Sequence, residues 1–168
     1  EHNVEIDTSE LNRIFCAYAM KYFGKLSSEI NLKSPVLVSN AMDYIHDHSE
    51  KAAIIVMDGM SEFDWTILKR SFTGICYCQS AAFAMIPSTT SISRQCLLSG
   101  KYPSQLIEPW KQSKEKNEFY ECARKYGYKD NQIDYERGYD ASFSAFVKCG
   151  AVIILDIDEL VHAQYQGR

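Results

Sequence analysis

Apolar positions recur at helical spacing through residues 9–26, SELNRIFCAYAMKYFGKL, which predicts a lead-in helix with Gly24 as its C-cap. Residues 34–51 read as a second helix ending in charge. AAIIVMDG, residues 52–59, is different in kind: an unbroken apolar run predicts a strand covered on both faces, with Asp58 at its C-terminal end. Residues 61–72 follow as a helix, 80–86 as another buried strand, and 90–99 as a helix closed by Gly100. Residues 113–126 form a helix with Lys and Arg near its end and Gly127 after it. GAVIILDID, residues 150–158, gives a third strand, running into a last helix over residues 159–166. Strand and helix in alternation predict an α/β fold, a mostly parallel sheet with helices on both faces.

Composition narrows the class. With 168 residues, 46% hydrophobic and 24% charged, the chain has enough material for one globular core or a large piece of one. The division expected is a lead-in helical segment at 1–34 and the main domain at 35–168. A net charge of −4 argues against non-specific nucleic-acid binding, which needs clustered Lys and Arg. No apolar run approaches the roughly 20 residues that span a bilayer, and no secretory signal is visible, so a soluble, cytoplasmic protein without a membrane partner is expected. The chain begins with Glu1, which reads as an excised piece of something longer. Six cysteines show no C-x-x-C spacing, and four lie in apolar or helical stretches, which predicts reduced and mostly buried thiols. Trp65, Trp110 and the 11 tyrosines are expected in core packing and helix docking. His46 and His48 sit about 200° apart on a helix and read as solvated surface residues.

Candidate chemistry gathers at three strand ends: Asp58, the hydroxyl cluster at 88–93, and Asp156, Asp158 and His162. Each has a plain structural reading. Asp-Gly commonly ends a strand in a turn, a Thr or Ser before a helix caps it, and an Asp and His four apart make a routine surface hydrogen bond. Five hydroxyls in six positions, however, exceed what one cap uses. A carboxylate, a hydroxyl and a carboxylate–imidazole pair at one sheet edge are the groups that a divalent-metal site for phosphate chemistry needs. Metal coordination turns a threonine hydroxyl into a nucleophile, and a helix N-terminus favours both an alkoxide and phosphate oxygens.

AIIVMDGMS, IPSTTSISRQCLLSGKYPS and DIDELVHA, in that order, resemble the PglZ domain, a branch of the alkaline phosphatase superfamily. The resemblance runs from about Leu37 to the end. It implies an alkaline-phosphatase-like three-layer fold with a mostly parallel central sheet, here incomplete at its C-terminus. It further implies a metal-dependent phosphatase or phosphodiesterase that uses a threonine nucleophile. By motif position, Thr90 is the nucleophile and a metal ligand, Asp58 holds one metal, and Asp158 and His162 hold the second. Ser93 stands where phosphodiesterase relatives place an Asn, and Ser93 and Arg94 are the implied substrate contacts. The implied cofactors are two divalent ions, zinc by family habit, with manganese also admitted by the oxygen-rich set. The implied partners are a phosphate-ester substrate, including nucleotides or nucleic acid, and proteins of phage-defence or signalling systems. The superfamily completes its site with a later Asp–His pair and a further His, none of which appears before Arg168. Half a metal centre with poor or absent turnover is therefore expected of this chain alone.

Two other readings remain open. VIILDIDELV also resembles the first motif of haloacid-dehalogenase-like phosphatases, in which Asp156 would be the nucleophile and Asp158 the acid/base. Leu160 departs from that motif, and residues 86–100 stay unexplained by it. The third reading is a non-catalytic, phosphatase-like interaction module.

Overall fold

The computed structural model describes residues 7–31 and 33–163. Its sheet has three parallel strands, β1 (Ala52–Met57), β2 (Ile133–Arg137) and β3 (Cys149–Ile154), in the order β1-β3-β2. The central strand, CGAVII, is the most buried of the three, its first five residues all buried. Pairing sets Ala52 beside Cys149 and Met57 beside Ile154 on one side, and Ile133 beside Cys149 on the other.

The helices are α1 (Ser9–Tyr18), α2 (Gly24–Leu26), α3 (Ala41–His48), α4 (Glu62–Leu68), α5 (Thr90–Ser99), α6 (Glu115–Lys125) and α7 (Asp156–Ala163). The main core lies where α3, α5 and α6 cover one sheet face: Met42, Leu98, Phe119, Cys122 and Ala123 pack on Ile133, Tyr135, Cys149, Ala151 and Ile153. Ile54 and Val56 join this cluster from β1. A second cluster unites Leu26, Leu37, Met85, Ile92, Cys96 and Leu106, so α5 contributes to both.

An α/β architecture with a parallel sheet is what the alternation of elements implied; several local expectations are corrected. β1 is not covered on both faces: Ile55 is 63% exposed, because β1 is an edge strand and only the side carrying Ile54 and Val56 meets the core. The strand expected at 80–86 does not form. Phe83 alone bridges Leu37, donating its N–H to the Val36 carbonyl and accepting from the Val38 N–H, and residues 80–84 are exposed. The run has apolar composition but no neighbouring strand long enough to pair with.

Helix 34–51 begins only at Ala41, after one tight turn at Val38–Asn40. Gly24 is no C-cap: its φ of −61° is helical, and the chain passes from α1 through a wider turn at Ala19–Phe23 into α2. β2 has no counterpart in the expected elements. Three thiols rather than most are buried, Cys96, Cys122 and Cys149, whereas Cys16, Cys76 and Cys78 are exposed. Among the aromatics, Phe119 and Tyr135 are core residues, but Trp110 is 73% exposed and belongs to no cluster. His46 and His48 are exposed as expected and stack on different rings, Tyr126 and Tyr44. Residues 164–166 of the expected last helix lie outside the described residues. Among the described residues no helix is long and apolar enough to cross a membrane.

Candidate functional site

Parallel strands bring their C-terminal ends to one edge, where ligands bind in open α/β sheets. Asp58 follows β1 at that edge, and its N–H donates to the Ile154 carbonyl at 3.0 Å, which ties it to the end of β3. Gly59 then turns the chain with φ +70°. A methyl group placed on Gly59 would stand 2.9 Å from the Cα of Asp158, so only glycine lets this turn lie against the first turn of α7. Along α7, Asp158 Oδ1 is 3.5 Å from His162 Nε2, with the imidazole 78% exposed. Helical i, i+4 spacing accounts for that pairing.

The hydroxyl-rich segment enters α5 through a cis Ile86–Pro87 peptide. Thr89 occupies the N-cap, yet its side chain makes no capping hydrogen bond. Thr90, half-buried, is the first helical residue. The surplus of hydroxyls is therefore not spent on capping the helix. Ser93 Oγ is buried and has no hydrogen-bond partner among the described residues. One turn beyond Thr90, and so on the same side of α5, Arg94 reaches the Asp58 carboxylate with NH1. The Arg94–Asp58 pair ties α5 to the end of β1, and Thr90 lies one turn before Arg94.

Arg94 is 4% exposed and fully engaged: Nε and NH2 donate to Glu115 Oε1 at 3.0 and 2.7 Å, while NH1 serves Asp58. Burial opposes its charge, but the hydrogen bonds and fields of Glu115 and Asp58 outweigh it and hold the guanidinium above its ordinary pKa. Glu115 is 0% exposed and its other oxygen accepts from Tyr135 Oη at 2.9 Å, with Arg137 NH2 at 3.5 Å. Burial, together with the Glu115 charge, pushes the Tyr135 phenol up to about 12. Two guanidinium groups and two carboxylates thus form one neutral network between α5, α6, β1 and β2.

Sequence reading singled out Asp58 and Arg94 but not their mutual pairing, and missed Glu115, Tyr135 and Arg137. One signal was present: Glu115 stands four residues before Phe119 and seven before Cys122, on the apolar stripe of α6. Asp156, the alternative nucleophile, is exposed and opens α7. Among the described residues no three His, Cys, Asp or Glu side chains form a cluster placed to hold a metal; Asp158 and His162 make a pair, and the Asp58 turn lies beside it. Comparison with known proteins returns no matching family, no matching curated protein and no matching solved structure.

Proposed function

We propose that this chain carries the nucleophile-bearing part of a metal-dependent phosphoryl-transfer hydrolase, a phosphodiesterase or phosphatase of PglZ type on an alkaline-phosphatase-like fold. The observation that carries the reading is Thr90 at the uncapped start of α5, on the face whose next turn, Arg94, grips Asp58 at the end of β1. The oxygen donors Asp58 and Asp158 with the imidazole of His162 suit zinc or manganese in donor chemistry, and the Gly59 turn that follows Asp58 lies against the Asp158 backbone. Asp58 would hold a cation through the carboxylate oxygen that Arg94 does not take. Bound divalent ions supply Lewis-acid stabilisation of an alkoxide and of the leaving oxygen.

Thr90 does the covalent work. Its Oγ1 gives its proton to solvent and attacks phosphorus as the bond from phosphorus to the leaving oxygen breaks. The leaving oxygen takes a proton from water, and a second water later cleaves the phosphothreonine, releasing the phosphate and returning the hydroxyl. The N-terminus of α5 offers its partial positive charge to the phosphate oxygens. Arg94, held by Glu115, keeps Asp58 in place, and Ser93 brings a hydroxyl one turn from the nucleophile. The substrate is a phosphate ester, with nucleotides and nucleic acid within the class, and the biological setting proposed is phage defence or signalling.

The test uses the natural full-length protein and two chromogenic reporters, a phosphodiester and a phosphomonoester, with zinc or manganese. Hydrolysis that needs metal and falls at least about 1,000-fold in Thr90→Ala is expected, since a covalent nucleophile carries most of the rate. Activity that survives Thr90→Ala and is lost in Asp156→Asn would replace Thr90 by Asp156.

A further inference from the structure

A groove of about 630 Å³ lies between the lead-in helix and the segment that leads into α5. Phe15, Tyr18 and Phe23 form one wall, Phe83 and Ile86 the other, and the groove ends at Thr89. Among the described residues no charged side chain lines it. Phe15, Tyr18, Phe83 and Ile86 are each 41–58% exposed, so four large apolar side chains converge on one concavity open to solvent. Single exposed apolar residues are ordinary; a convergent set beside a polar site marks a binding groove. The wall made by the lead-in segment is fixed from below, because Leu26 is buried in the second core cluster and Phe23 packs against it.

We infer that this groove is the subsite for an aromatic ring esterified to the phosphate, so that the substrate class is an aryl or nucleoside phosphate ester. The inference rests on the proposed role of Thr90. Thr89, the residue just before Thr90, lines the groove, so the esterifying group of a phosphate held at the start of α5 would have the groove within reach. Its size suits a ring system, and its uncharged walls would exclude the phosphate itself. Ring-on-ring contacts favour an aromatic group over a chain of similar area by about 0.5–1.5 kcal/mol, which is about 2- to 10-fold in affinity.

Binding of non-hydrolysable anions tests this without turnover. Phenylphosphonate, hexylphosphonate and methylphosphonate are titrated calorimetrically into the full-length protein. Phenylphosphonate is expected to bind about tenfold more tightly than methylphosphonate and more tightly than hexylphosphonate. Phe15→Ala and Phe83→Ala are both expected to erase the preference, and Phe63→Ala on α4 to keep it; since Phe15 and Phe83 are half-exposed, neither change should unfold the chain. Equal binding of phenyl and methyl compounds, or a preference for hexyl, overturns the inference. A phenyl preference that persists when Thr90→Ala leaves hydrolysis intact supports the groove and sinks only the nucleophile assignment.

Discussion

Arg94 and Glu115 form a charged contact buried on both sides, 4% and 0% exposed, with Asp58 as the second carboxylate on Arg94. Removing Glu115 leaves two guanidinium groups with Asp58 as the one remaining carboxylate of the network, so Glu115→Gln is expected to lower stability by about 3–5 kcal/mol in urea denaturation. Glu10→Gln, which breaks the solvent-exposed pair with Arg13, is expected to leave the midpoint unmoved. A loss below about 1 kcal/mol in Glu115→Gln would show that Asp58 alone compensates the Arg94 charge. A second residue-scale effect comes from the buried thiols. Burial raises Cys96, Cys122 and Cys149 from 9.0 to about 11. Above pH 9 the unfolded chain releases these protons and the folded chain keeps them, so stability is full below pH 9 and is lost as pH rises toward 11. Thermal midpoints should fall across that window, and Cys122→Ala should flatten part of the fall.

At the scale of elements, the contact between the Gly59 turn and α7 can be isolated by comparing two glycines. Gly59 and Gly74 have nearly equal φ, +70° and +73°, but only Gly59 has a neighbour within 4 Å, the Asp158 backbone. Alanine at either site meets the same backbone strain of about 1 kcal/mol; Gly59→Ala should cost at least about 1 kcal/mol more and displace α7, reducing metal affinity measured by calorimetry. Equal losses at both sites would remove the turn from the site. The elements read from sequence share a strong local signal: β1 and β3 are unbroken apolar runs, and α5 ends at a glycine with φ +67°. β2 was missed because IDYER puts three charged residues in five, and its Ile133 and Tyr135 show their alternation only once β3 stands beside them. The apolar run at 80–86 misled for the opposite reason, since composition alone cannot supply a pairing partner.

For the whole molecule, a parallel sheet covered on one face by α3, α5 and α6 sets Asp58 beside the end of β3 and the Gly59 turn against α7, with Arg94 of α5 reaching Asp58. The parallel α/β sheet was legible in the alternation of strands and helices. The Asp58–Arg94–Glu115 network was not, because it joins residues 36 and 21 positions apart whose meeting depends on how α5 and α6 lie on the sheet. Ile55, on the uncovered side of β1, shows the same limit: an apolar run does not say which face will be packed. The central claim is that Thr90 becomes phosphorylated. It is tested most directly by acid-quenching the metal-loaded full-length protein during turnover of a phosphodiester and mapping the phosphate by mass spectrometry. The expected result is acid-stable phosphothreonine at Thr90, absent in Thr90→Ala; a hydroxylamine-labile phosphate on Asp156, or turnover with no phosphorylated residue, would contradict it.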